Sequence, residues 1–188
     1  MKVRYLFADK KKLIAKAQSL DAAAQKSLYD LYAPKMFSVC RYYVRDLQYA
    51  EDVVVTGFFK ALTHLHQLDD PEKFEGWLRR IIVREALSFL RQANHLIYTE
   101  DEFPFEEAVE ESDGDWSIDD LQLLIDQLPE SQKVVFVLYA LEGYSHKEIG
   151  HTLDIPKGTS KSYLSRARKT LKENIHQFYS KKNDQSKV

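Results

Sequence analysis

Residues 128–171 read LPESQKVVFVLYALEGYSHKEIGHTLDIPKGTSKSYLSRARKTL, and their punctuation decides the fold of the C-terminal part of the chain. Leu128-Pro129 opens a helix, with the proline at a first-turn position where its missing N–H costs nothing. Val134, Val135, Val137, Leu138 and Leu141 give that helix an apolar face, and Gly143 suits the position just past its end. Ser145-His146-Lys147-Glu148 is a capping box: the Ser145 hydroxyl accepts from the Glu148 N–H while the Glu148 carboxylate reaches back. The short helix it starts runs to about Leu153. Asp154-Ile155 makes a turn, where aspartate tolerates a left-handed backbone better than most residues. Pro156 opens the last helix, which runs to about Phe178. A short capped helix, a tight turn and a second helix make a helix-turn-helix.

A wheel drawn at 100° per residue divides the last helix cleanly. Ser160, Ala167, Leu171, Ile175 and Phe178 fall within about 60° of Leu164 and form the buried face. Thr159, Ser162, Arg166 and Lys169 lie opposite, flanked by Lys161, Arg168 and Lys172. Short polar side chains near a helix start can reach base edges in the major groove, and cations further along can meet phosphates. An ordinary amphipathic helix with a solvated basic face would give the same wheel. The capping box, the turn spacing and Pro156 weigh towards DNA.

Upstream, strand patterns are nearly absent and helical spacing is strong. Apolar residues step by three and four over about 22–45 (Leu28, Leu31, Tyr32, Met36, Val39, Tyr43) and about 48–68 (Val53, Val54, Phe58, Ala61, Leu62, Leu65). Pro71 falls in the turn before a third helix of about 72–93, and a short helix near 10–20 precedes them. The third helix carries a second basic stripe. Taking Arg80 as zero, Arg84 lies near 40° and Arg91 near 20°, with Arg79 beside them. Leu78, Ile82 and Phe89 cluster on the far side. Arginine stripes suit phosphate contact, although a solvated face looks alike. Phe74 and Trp77 at the helix start can pack in a core or stack on an exposed base; for Trp77 the core is favoured.

The 188-residue chain is 44% hydrophobic and 30% charged, with one Cys and a formal charge of −2. Residues 1–98 carry +5, residues 99–120 carry −11, and residues 121–188 carry +4. Two mildly basic lobes therefore flank TEDEFPFEEAVEESDGDWSIDD, a linker extended by self-repulsion. The lone Cys40 excludes an internal disulfide and a Cys-based zinc site, and points to a reducing compartment. On an apolar helix it reads as core. No run is long enough for a membrane helix, and MKVRYLFADKKKL lacks the features of a secretory signal. A soluble, cytoplasmic protein without membrane insertion is expected. The expected fold class is all-α, with two small helical domains joined by the acidic linker.

Together these segments resemble an RNA polymerase sigma factor of the extracytoplasmic-function type, in the style found in Bacteroidetes. SLYDLYAPKMFSVCRYYVRDLQYAEDVVVTGFFKAL (27–62) resembles the clamp-binding segment. KFEGWLRRIIVREALSFLR (73–91) resembles the segment that engages and opens the −10 element, and residues 128–171 resemble the −35-reading domain. The resemblance implies a region 2 domain over 1–95, a linker over 96–120, a region 4 domain over 121–180 and a polar tail over 181–188. It implies core RNA polymerase (β′ clamp and β flap) and promoter DNA as partners, and it allows an anti-sigma protein. Glu51, Asp52, Phe58 and Lys60 match clamp-binding positions. Phe74, Trp77, Arg79, Arg80, Arg84, Ser88 and Arg91 fall to −10 DNA, where the loop near Asp70–Phe74 would capture a flipped base. Lys157, Thr159, Lys161, Ser162, Tyr163, Arg166 and Lys169 fall to −35 DNA. The linker would thread the polymerase interior, its acids mimicking phosphate.

The sequence departs from that pattern at defined places. Val55-Thr56 stand where the family has Gln-Glu or Gln-Asp, and Arg84 and Ser88 where it has Asn and Asp. GTSKSY replaces GTVKSR, with Ser160 for a core Val and Tyr163 for an Arg. A buried Ser160 needs a bond to its i−4 carbonyl. A divergent paralogue with unusual promoters or weakened activity, and a stand-alone helix-turn-helix regulator, are the alternatives. No enzyme is expected. His64 and His66 point about 200° apart on a helix and cannot share a metal. His146 and His151 flank the DNA-facing helices, and His95 has no evident partner. No Gly-rich phosphate loop, HExxH or nucleophile elbow occurs, and neither a metal nor a cofactor is expected.

Overall fold

A computed structural model describes the backbone of residues 2–93 and 118–185, with side chains over 10–93 and 120–177. Most of the acidic linker, His95 and the Phe178 side chain lie outside the described residues. Among those described, the regular structure is entirely helical: α1 (Lys2–Gln18), α2 (Ala22–Arg41), α3 (Leu47–Thr63), α4 (Phe74–Gln92), α5 (Ile118–Asp126), α6 (Glu130–Ala140), α7 (His146–Leu153) and α8 (Lys157–Gln185). The chain divides into two compact units, Met1–Ala93 and Asn94–Val188.

In the first unit each helix starts on a local device. Asp21 caps α2 by accepting from the Ala24 N–H at 2.9 Å, and Asp46 caps α3 by accepting from the Tyr49 N–H at 3.0 Å. These bonds satisfy amide donors that a helix start leaves open. Leu20, between α1 and α2, takes a left-handed φ of 63°. The apolar steps then converge on one core containing Leu28, Met36, Phe58, Leu78, Ile82 and Leu87. α3 and α4 approach closely: a Cβ on Gly57 would stand 2.5 Å from the Ile82 Cδ1. The helix expected near 10–20 is longer and begins at Lys2. The one expected over 48–68 ends at Thr63, and a 3-10 turn over Leu65–Gln67 follows.

The second unit contains a helix that the sequence reading did not place. α5 takes in Ile118–Asp120, the end of the acidic segment, and buries Leu124 and Ile125. Pro129 is the N-cap of α6, one residue earlier than expected. Gly143 follows with φ +73°, and the Tyr144 N–H reaches back to the Leu138 carbonyl at 2.9 Å. Both halves of the Ser145–Glu148 capping box form, the Glu148 carboxylate accepting from the Ser145 N–H at 2.8 Å. Asp154 closes α7 in the left-handed region at φ 56°. Gly150 lets the turn close tightly, since a Cβ there would meet the Ile155 carbonyl oxygen at 2.8 Å. α8 then continues to Gln185.

Candidate nucleic-acid interfaces

The faces that α3 and α4 leave uncovered carry most of what the first unit offers. Arg80, Arg84 and Arg91 are exposed along α4, while Trp77, Arg79 and Ser88 are half-buried beside them. Leu78 and Ile82 hold the opposite face in the core, and the buried Leu87 falls between Arg84 and Arg91 and interrupts the stripe. Phe74 does not join it. Its ring is fully buried, 5.1 Å from Tyr32 and 6.2 Å from Trp77. Its ring packs in the core at the start of α4 instead of lining the exposed face. Asp70 shapes the loop before it by accepting from the Glu72 N–H at 3.0 Å.

On α3, Glu51 and Asp52 are exposed as expected. Phe58 is not: it is 2% exposed and packs edge-on against Tyr29 at 4.9 Å. The next residue, Phe59, is 72% exposed, and Val55 one turn before it is 53% exposed. Leu47 and Tyr49 at the helix start are also exposed, with the Tyr49 ring 5.3 Å from that of Phe89 in α4. One residue is 100° of helix, enough to exchange core for solvent. The i, i+4 pair Val55/Phe59, out of phase with Val54/Phe58, was the available clue. Lys60 is exposed and paired with Glu85 of α4 at 2.6 Å.

In the second unit the wheel holds. Ser160, Leu164, Ala167 and Leu171 are buried, and Leu124, Leu128, Phe136 and Ile175 pack with the last two. Lys157 and Lys169 are exposed, while Thr159, Lys161, Ser162 and Arg166 are half-buried. Tyr163 is the exception, only 6% exposed with the Arg166 guanidinium 5.3 Å from its ring centre. Its ring fills the core and lies against the half-buried Arg166 guanidinium. Arg168 likewise lies 5.7 Å from the Tyr139 ring.

Two polar arrangements escaped the sequence reading. Lys133 is fully buried in α6, its Nζ 3.0 Å from Glu130 and 3.7 Å from Asp126. Ser160 finds a partner other than the i−4 carbonyl: its Oγ is 2.9 Å from His146 Nδ1, and the backbone N–H of Ser160 serves the Pro156 carbonyl. His146 also stacks on Tyr139 with ring centres 4.8 Å apart. Its protonation is pushed below the ordinary histidine range, first by burial and then by Lys161, Lys157 and Arg168. Cys40 is buried, which pushes its thiol up to about 12 and leaves it an inert core residue.

Both units match known sequence families. Residues 28–95 match the family described as Sigma-70 region 2, and residues 118–171 match Sigma-70, region 4. The chain is 27% identical over 179 residues to the ECF RNA polymerase sigma factor SigW of Bacillus subtilis, covering 88% of this chain and 96% of that protein. It is 28% identical to the ECF RNA polymerase sigma-E factor of Haemophilus influenzae, covering 87% and 93%. Among solved structures it is similar in fold to the sigma factor RpoE of Bartonella quintana, solved with the anti-sigma factor NepR. That match has TM-score 0.51 and 22% identity, over 80% of this chain and 96% of the other.

Proposed function

We propose a residue-level division of labour for this chain, which belongs to the sigma-70 family and to its extracytoplasmic-function branch. It is a sigma factor that directs transcription initiation by core RNA polymerase at promoter DNA. The apolar surface of α3, Val55 and Phe59 with Glu51 and Asp52 beside them, is the polymerase-facing side. Two large apolar side chains exposed one turn apart, Val55 and Phe59, form the kind of patch a partner covers. Arg80, Arg84 and Arg91 of α4 hold the −10 backbone, with Trp77, Arg79 and Ser88 nearest the unpaired bases. Lys157, Thr159, Lys161, Ser162, Arg166 and Lys169 of α8 face the −35 major groove. The protein acts in the cytoplasm and has no catalytic role of its own; among the described residues no helix is long and apolar enough to cross a membrane. An anti-sigma protein is a further partner, of the kind solved with the Bartonella quintana sigma factor.

The observation that carries this reading is the layout of α8: polar and cationic side chains near the helix start, opposite a buried stripe fixed by a capped preceding helix. The basic balance of each sequence lobe is small. Few phosphates are neutralised by either, so each binds DNA weakly alone. Polymerase holds both in place and makes the second contact effectively intramolecular. Salt titration tests the assignment. Holoenzyme carrying Lys169→Ala should lose affinity for promoter DNA at all sequences, with a salt slope shallower by about one unit. Ser162→Ala should instead change which −35 sequences are preferred. An unchanged slope in the first variant and unchanged preference in the second would remove α8 from the interface.

A further inference from the structure

The His146–Ser160 contact has no place in the division of labour just described. His146 is the first residue of α7, and Ser160 sits on the first turn of α8. Their side chains meet at 2.9 Å across the turn of the helix-turn-helix. Ser160 is fully buried, so without His146 its hydroxyl would lose this partner in the core. The imidazole is itself held from behind by the Tyr139 ring of α6. Three helices thus converge on one imidazole, and the helix it fixes is the one that carries the DNA-facing residues.

We propose that His146 is a positioning residue for −35 recognition, acting through Ser160 to set the placement of α8 against α7. This rests on the reading that α8 faces DNA. The charges that reach the imidazole come from α8: Lys157, Lys161 and Arg168, all cations. From α6 it meets the neutral Tyr139 ring. In the free protein burial first, and then those cations, disfavour the imidazolium. DNA phosphates docking on Lys157 and Lys161 remove part of that repulsion, so binding raises the proton affinity of His146. The sign follows by linkage: a group whose pKa rises on binding takes up a proton, and affinity increases as pH falls. The gain is complete below the free-state pKa and disappears as pH rises through the bound-state value.

The test is a double-mutant cycle in the full chain with core polymerase. The probe is a duplex selected from a random library by wild-type holoenzyme. His146→Ala and Ser160→Ala should each weaken binding at pH 7.5 by roughly five- to tenfold. The double variant should be no weaker than the weaker single one, because both remove the same contact. His146→Asn, whose amide can stand in for Nδ1, should keep the affinity at pH 7.5 and lose the rise towards pH 5.5. Additive losses, or a wild-type pH profile in His146→Asn, overturn the proposal. Long-range nitrogen–proton NMR of the imidazole in the free chain decides independently of DNA. A single tautomer that Ser160→Ala converts to a mixture supports the contact, and identical spectra refute it. If no duplex is selected, the reading of α8 falls, and the NMR result still judges the contact.

Discussion

The two units bury different kinds of side chain. Among the described residues, the buried polar ones are Ser131, Lys133 and Ser160, and all three belong to the second unit. The first unit is closed by apolar contacts between longer helices, with its ion pairs, such as Lys60–Glu85 and Lys11–Glu72, near the surface. The second includes α7, which has only eight residues. A helix that short is marginal by itself and depends on caps and tertiary contacts. Beside the buried Ile149 and Leu153, it is held by specific polar contacts, the Ser145–Glu148 box and the His146–Ser160 contact. Apolar burial is tolerant of pH and of modest reshaping, whereas a buried polar contact is worth little net and costs much when half-removed.

The largest expected effects come from breaking each unit in its own manner. Lys133→Ala removes the buried cation beside Asp126 and Glu130 and should destabilise the second unit by about 3–5 kcal/mol. Phe58→Ala should cost the first unit about 3–5 kcal/mol through the cavity it leaves. Denaturant unfolding with hydrogen exchange resolved by residue assigns each loss to its unit. Phe59→Ala sharpens the contrast within one helix: stability should move by less than about 0.5 kcal/mol, while affinity for core polymerase should fall at least about fivefold. Equal stability losses at 58 and 59 would contradict the burial difference.

Smaller effects separate the units by mechanism. Ser145→Ala removes the cap of α7 and should cost about 1 kcal/mol, confined to the second unit. The pH dependence of the free chain is the mildest. His146 is depressed in the folded state relative to 6.5, so the unfolded chain binds the proton more readily. Its contribution is present above about pH 6.5 and is lost as pH falls towards the folded-state value. The second unit should show this loss and the His146→Asn variant should not, as read from unfolding midpoints at pH 7.5 and 5.5.

The same difference explains what was legible in the sequence. Caps, prolines and the left-handed Asp154 act within a few residues, so α7, the turn and α8 could be placed from the string alone. The arginine stripe of α4 was legible because one helix fixes its phase. Phe58 stood in the apolar stepping of α3 and Phe59 one residue out of phase, and packing against Tyr29 fixes Phe58 in the core. Phe74 and Tyr163 carry side chains that suit either a base or a core, and the core claimed both. Ser160 needed a partner fourteen residues away, beyond the reach of local reasoning. α5 was hidden by the acids that surround its start.

Run-off transcription with purified core RNA polymerase and this chain tests the central claim most directly. Promoter fragments from the same genome serve as templates. The account predicts a transcript starting at a fixed position that requires the chain, survives Phe74→Leu, and is lost in Arg84→Ala/Arg91→Ala and in Arg166→Ala/Lys169→Ala. Transcription equal to core enzyme alone on every template, with the chain folded and bound to polymerase, would contradict it.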